Sequence, residues 1–134
     1  SIGYLHRLRL MDGVPLLLEW ITFPAALCPA LLTAPAAGQD DPGAAPFYEV
    51  LAARAGVTVT TARETLRPVA VTGREARLLQ VPARTPVFLV ERVSRAGDRP
   101  IEWRRALVRS DRYDYTVDLV NPTEESSGRC EGGR

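Results

Sequence analysis

Arg7 and Arg9 stand two residues apart in the short run Tyr4–Leu10. On an extended strand that spacing sends both side chains to one face and Leu8 and Leu10 to the other. Two adjacent guanidiniums repel unless an anion or a carboxylate lies between them. Their planar forks of donors grip phosphate or carboxylate through two parallel bonds, so the pair is a candidate anion cradle. The bland alternatives are a solvated sheet face, or ion pairs with acids across a hairpin. Glu19 is one such acid, and it sits in the otherwise apolar run Leu16–Ile21. A carboxylate there is costly to bury unless paired or hydrogen-bonded. It can accept bonds from ligand hydroxyls or amines, or simply pair with Arg7 or Arg9. Glu102 poses the same question, with Arg104 two residues on as its ordinary partner. Tyr48 offers a hydroxyl or a ring face to a ligand, or packs as a core tyrosine. The cluster Arg109-Ser-Asp111-Arg112-Tyr113 reads as a brace at a corner, with Asp111 and Arg112 structural.

These residues need a frame to hold them. Tyr4–Leu10 and Val14–Phe23 read as two strands joined at Met11-Asp12-Gly13, because Asp-Gly between apolar runs is a hairpin signal. Pro24 opens an Ala/Leu-rich stretch to Leu32 that predicts a short helix with proline in its first turn, followed by a surface loop over Ala34–Pro46. Apolar residues at 47, 50, 51 and 55 predict a helix over Phe47–Ala55, stopped by Gly56. Val57–Val71, rich in β-branched residues, reads as one long strand. Thr72-Gly-Arg-Glu75 matches a capping box for a helix running to about Leu79. Pro86–Val93 and Pro100–Val108 are strands around Arg95-Ala-Gly97-Asp98. Tyr113–Leu119 alternates apolar and polar residues and predicts a half-buried antiparallel strand. The two hairpins echo each other: each has a glycine turn, a proline opening the return strand, and a glutamate inside it. The pattern predicts an α+β architecture, an antiparallel sheet with helices packed on it.

Composition narrows the chemistry. The chain has 134 residues, which suits a single domain, and 46% are apolar. A domain of this size buries about 70% of its unfolded surface, enough for a real core. The formal net charge is only +1, unlike the basic excess of a dedicated nucleic-acid binder. All seventeen basic residues are arginine, a bias that GC-rich coding explains most simply. His6 is the only histidine, and Cys28 and Cys130 are the only cysteines. No zinc site of ordinary spacing can be built from these, a Ser-His-Asp triad would have to use His6, and Gly-x-Gly-x-x-Gly is absent. The expectation is therefore no catalytic residue, no metal and no cofactor. The two cysteines form no disulfide framework, and no apolar stretch reaches the roughly 18 residues of a membrane span, so a cytoplasmic protein with no membrane partner is expected. The first residue is serine rather than methionine, which suits a piece of a longer chain.

Five segments occur in one order and spacing: Arg7-Leu-Arg9-Leu-Met-Asp12-Gly13-Val-Pro15-Leu-Leu-Leu-Glu19, Phe47-Tyr48-Glu-Val-Leu51, Val90-Glu-Arg92-Val93, Gly97-Asp-Arg-Pro100-Ile-Glu102 and Arg109-Ser-Asp111-Arg112-Tyr113. Together they resemble the UTRA domain, the C-terminal effector-binding part of GntR-family transcription regulators of the HutC subfamily. The likeness covers roughly Leu5–Leu119. It implies a chorismate-lyase-like α+β fold without the lyase activity, and a small effector, often anionic. It also implies a homodimer, and DNA contact only through an N-terminal winged helix-turn-helix that this chain does not contain. The family pattern has a strand and helix ahead of the Arg-x-Arg strand, and these are missing here. Position by position, the resemblance assigns Arg7 and Arg9 to an effector phosphate, Glu19 and Glu102 to its polar groups, and Tyr48 to the pocket. Pro46 stands where sugar-phosphate-sensing relatives have a serine, and Val108 where they have a tyrosine. Both remove a hydroxyl, which implies a more apolar far side.

The resulting expectation is a UTRA-like effector-binding domain over residues 1–120 and a polar, disordered tail over 121–134. Its function is ligand sensing: an anionic metabolite spans Arg7, Arg9 and Glu19, with Glu102 and Tyr48 closing the site. The rivals are a dimerisation module without a ligand and, least of all, a chorismate-lyase-like enzyme.

Overall fold

The computed structural model describes residues 1–27, Pro29 and 47–121. Five strands and two helices alternate along it: β1 (Ile2–Met11), β2 (Val14–Pro24), α1 (Phe47–Ala55), β3 (Thr61–Val71), α2 (Gly73–Leu79), β4 (Thr85–Ala96) and β5 (Arg99–Arg109). The strands form one antiparallel sheet in the order β1-β2-β5-β4-β3. The sheet is two hairpins side by side, β1-β2 and β4-β5, with β3 added at the far edge. Pro68, which has no N–H to give to a neighbour, is accommodated on that edge strand.

Both hairpin turns follow from their residues. Asp12 and Gly13 have φ of 53° and 75°, the pair of positive values that a two-residue turn needs to match the twist of its strands. Gly97 takes φ 59° in the second turn. Between Ser94 and Arg95 the register of β4 on β5 slips by one residue, leaving Ile101 without a counterpart. The strict in-out alternation breaks there, and Ile101 and Glu102 are both buried.

Each face carries a helix at one end. On one face α2 packs through Ala76 and Leu79 against Leu18, Val71, Val87, Leu89 and Leu107. On the other, Leu51 of α1 joins Ile21, Phe23, Leu27 and Ile101. A third cluster on that second face, Leu17, Val90, Ala106 and Val108, is covered by Tyr113, whose ring meets Phe88 edge-on at 6.3 Å.

Four expectations change. The stretch after β2 opens with a 3-10 turn at Ala25–Leu27, and Pro24 itself pairs with Ile2 as the end of β2; Pro29 is helical, and the rest of the predicted helix to Leu32 and the loop over Ala34–Pro46 lie outside the described residues. The strand predicted from Val57 begins only at Thr61, because Val57 and Val59 turn into the α1 cluster. Thr72 makes no side-chain cap, since Gly73 at φ 58° swings the first turn away from its hydroxyl; α2 is instead closed at its other end by Gln80, left-handed at φ 56°, with Gln80 and Val81 N–H bonding the carbonyls of Arg77 and Ala76. Tyr113–Leu119 is not a strand. Tyr113 folds back onto the sheet, and beyond it Tyr115, Val117 and Leu119 are exposed, Leu119 to 91%. Alternation specifies a strand only where a neighbouring edge accepts its hydrogen bonds, and none of the described strands does so here. Of the predicted tail, only Asn121 is described.

Arg109 ties this corner down. Its Nε and Nη2 donate to the two carboxylate oxygens of Asp111 at 3.0 and 2.7 Å, and its Nη1 donates to the Leu79 carbonyl at 3.3 Å. Here Asp111 is the brace that the sequence predicts. The hydrogen bonds from Arg109 hold the Asp111 carboxyl below its usual pKa.

Gly13 has open space where a Cβ would stand, so only backbone strain opposes a side chain there. Gly13→Ala should lower stability by about 1 kcal/mol, read as a shift in the urea midpoint at unchanged slope. Because the folded pKa of Asp111 is depressed, its contribution is present above the ordinary carboxylate range and fades as pH falls through it. The stability gap between wild type and Asp111→Asn, measured by chemical denaturation, should therefore be present at neutral pH and close on acidification.

Candidate functional site

The five strands bring a belt of charge together on the face that α1 partly covers. Arg7 on β1 lies directly opposite Glu19 on β2; Arg104 on β5 lies directly opposite Arg92 on β4, and Arg92 opposite Glu64 on β3. Glu19 and Arg104 are diagonal neighbours, since Glu19 faces Ala106 and Ile21 faces Arg104. Long side chains reach across that diagonal. The belt runs between the α1 cluster and the cluster that Tyr113 covers.

Glu19 is its centre, with 0% of its side chain exposed. One carboxylate oxygen receives Arg7 Nε, and the other lies 2.6 Å from Arg104 Nη2. The ordinary reading of Glu19 as a partner of Arg7 is thus what the geometry displays, with Arg104 added. Arg104 does not serve Glu102, as its position in sequence suggested. Arg9 shares this face but is in no ion pair among the described residues. It is half-buried, which lowers its pKa; Glu19 opposes that shift, and the charges of Arg7 and Arg104 add to it.

Glu102, also buried, accepts a bond from Ser94 Oγ at 2.6 Å. That spends the only proton of Ser94, so in the 2.7 Å contact between Ser94 Oγ and Tyr48 Oη the tyrosine must donate. Tyr48 Oη in turn accepts from Arg92 Nη1 at 3.3 Å, and Arg92 Nε donates to Glu64 at 2.6 Å. The direction Arg92 to Tyr48 to Ser94 to Glu102 is set along the whole chain, and such chains polarise cooperatively. Burial works against the Arg92 charge, but the hydrogen bond to Glu64, helped by Tyr48, prevails and raises its pKa. The guanidinium also lies 5.9 Å from the centre of the Tyr48 ring. Tyr48 is thereby fixed from the sheet, although it belongs to the first turn of α1.

All five predicted residues therefore share one face: Arg7 and Glu19 in one network, Tyr48 and Glu102 in the adjoining one, and Arg9 beside the first without an ion pair among the described residues. Sequence reasoning missed Arg92, Ser94 and Glu64, and it gave Arg104 to Glu102 instead of Glu19. The available signal was a polar residue at an inward position of an apolar strand, as in Val90-Glu-Arg92-Val-Ser94. What it lacked was the register that sets Arg92 against Arg104. Val108 is buried in the Tyr113 cluster, consistent with an apolar far side, whereas Pro46 lies outside the described residues. A cleft of about 170 Å³ on the opposite face, lined by His6, Trp20, Arg74 and Glu75 among others, involves none of the predicted residues. Among the described residues no cluster of His, Cys, Asp or Glu has the geometry of a metal site.

A single antiparallel sheet with helices on both faces and a charged belt across one of them defines an α+β domain of chorismate-lyase-like fold. The chain belongs to the UTRA domain family, whose profile matches residues 1–114. It is 36% identical over 114 residues to the HTH-type transcriptional repressor PhnF of Mycolicibacterium smegmatis, a match covering 84% of this chain and 44% of that protein. The chain thus spans less than half the length of this relative. It also resembles the ligand-binding domain of a GntR-family transcriptional regulator from Bordetella bronchiseptica, with a TM-score of 0.73 and 31% identity over 89% of this chain and 74% of that one. The C-terminal domain of the histidine utilization repressor from Pseudomonas syringae shares the fold at 18% identity, with a TM-score of 0.70 over 90% of this chain and 79% of that one. None of the described helices is long and apolar enough to cross a membrane.

Removing the Glu19 carboxylate leaves Arg7 and Arg104 facing each other's charge with nothing between. Glu19→Ala should cost about 3 kcal/mol in chemical denaturation, the range for breaking a buried ion pair by deleting one partner.

Proposed function

We propose that this chain is the ligand-sensing domain of a GntR-type transcription regulator, non-enzymatic and cytoplasmic. It binds a small anionic metabolite and thereby modulates DNA binding by a separate N-terminal winged helix-turn-helix. The observation that carries this reading is Arg9: a half-buried guanidinium, in no ion pair among the described residues, beside two further arginines that already share one carboxylate. A buried charge without a partner is costly, and an anionic ligand is the partner that relieves it. Family membership and the relatives' roles in transcription support the regulatory half of the proposal.

In this reading Arg9 and Arg7 take the anion, and Glu19 positions Arg7 rather than contacting ligand amines. Tyr48 and Glu102 close the site through the hydrogen-bonded chain. The ligand shifts the regulator only as far as it binds one domain arrangement better than the other. The regulator acts as a homodimer, a reading favoured by the exposed side chains of Ile2, Tyr4 and Trp103 on the opposite face.

A thermal-shift screen of sugar phosphates, amino-acid catabolites and fatty acids against this chain tests the site. A true effector at a hundred times its Kd stabilises the fold by about 2.7 kcal/mol. That stabilisation should vanish in Arg9→Ala and in Arg7→Ala/Arg9→Ala. An effector whose shift is undiminished in both variants would overturn the assignment.

A further inference from the structure

We propose that Asp114–Val120 is a strand-forming arm that docks on the free edge of β3 in a second copy of this chain, so that each copy walls the outer end of the other's charged belt. The proposal deepens the homodimer reading above and does not depend on the anion site.

The arm has what a strand needs except a neighbour. Tyr115, Val117 and Leu119 alternate with Asp114, Thr116 and Asp118, and all of them, with Val120, are exposed and unpaired. β3 is the outermost strand, and among the described residues no strand pairs with its outer side. Its eleven residues present a row of unpaired N–H and C=O groups, a template for another chain. Pro68 has no N–H to offer there, which leaves Thr61–Arg67 as the uninterrupted stretch, seven residues against the seven of Asp114–Val120.

Charge sets the register. Asp114 and Asp118 are four apart on one face of the arm, and Arg63 and Arg67 are four apart on one face of β3. Antiparallel pairing, the rule throughout this sheet, puts Asp114 opposite Arg67, Thr116 opposite Thr65 and Asp118 opposite Arg63, three favourable cross-strand pairs. Arg63 is exposed and in no ion pair among the described residues, and Arg67 meets Glu91 only at 3.6 Å. A hollow of about 580 Å³ lined by Thr61, Ala62, Arg63, Val93 and Arg95 lies where Asp118 and Leu119 arrive. On the other face of this register Tyr115 meets Leu66 at the border of the Tyr113 cluster, and Val117 lies beside Glu64, the carboxylate that holds Arg92.

The root of the arm keeps it from its own edge. Ser110 Oγ donates to the Pro86 carbonyl at 2.7 Å and Tyr113 packs on Phe88, both on β4. From β4 to the outer side of β3 is two strand spacings, about 10 Å, whereas the step from Tyr113 to Asp114 is about 3.8 Å. The edge that accepts the arm is therefore another copy's, and exchange of two arms about a two-fold axis closes the assembly.

Sedimentation equilibrium on this chain should show a dimer whose Kd rises about tenfold in Arg63→Asp and in Asp118→Arg, since each change acts twice about the two-fold axis. The double variant Arg63→Asp/Asp118→Arg, with the charges exchanged, should return to within about threefold of wild type. Circular dichroism reports whether each variant folds. If a reversed variant does not, Asp118→Asn removes the attraction without adding repulsion and should still weaken the dimer. Oxidised Thr65→Cys/Thr116→Cys should run as a covalent dimer, with the bond between positions 65 and 116 located by peptide mapping. A monomeric wild type overturns both this contact and the homodimer. The arm exchange alone is overturned, with the homodimer left standing, by any of three results: a dimer undiminished in the single variants, a double variant no tighter than either of them, or a 65–116 bond that fails to form or lies within one chain.

Discussion

Glu19 has no exposed side-chain surface and lies on β2, inside the sheet rather than at its rim. It separates Arg7 from Arg104, and through Arg104 it also relieves the contact between Arg104 and Arg92, which sit directly opposite each other on neighbouring strands. Like charges so placed destabilise a sheet. The conflict is resolved because each guanidinium turns away from the other, Arg104 towards Glu19 and Arg92 towards Glu64. A charged belt, with its two adjacent arginines each held by a carboxylate on the outer side, can then cross all five strands between two apolar clusters. The arrangement is specific as well as stable, since shifting any strand by one residue would carry its charged residue to the opposite face.

The second network uses the same logic without ion pairing at its buried end. Glu102 is turned inward by the alternation it shares with Arg104 and Ala106, and the register slip beside Ser94 brings Ile101 to the same face next to it. Its partner is a serine hydroxyl, and the bond it receives fixes the direction of the contacts that lead to Arg92. Tyr48 thereby joins the first turn of α1 to three strands. Leu51, one turn further along, drives the same helix into the apolar cluster below. Polar and apolar contacts of α1 thus act together to set it on the face that bears the charged belt.

Much of this frame was legible in the residues. Asp12-Gly13 and Gly97 announced the hairpins because only certain residues take positive φ cheaply, and the strands flanking them appear within a few residues of their expected ends. That Arg7 and Arg9 share a face followed from period-two geometry, but not which face that is. Failures came where a local pattern needs a distant partner or a particular dihedral. Thr72 has the residues of a capping box, but Gly73 takes a conformation that denies it the geometry. Tyr113–Leu119 has a strand's alternation but no described edge to join, so Tyr113 caps a cluster instead.

The sequence by itself determined the α+β class, the two hairpins, and which of its residues could form an anion site, because turn chemistry and side-chain periodicity act over a few neighbouring positions. Only the tertiary structure decided the pairings. Glu19 chose Arg104, 85 positions away, over Arg9, and Tyr48 joined Ser94 and Arg92 rather than the core. Those choices depend on strand order and register across the sheet, which arise from burying apolar surface on both faces at once, a constraint that no local stretch of residues contains.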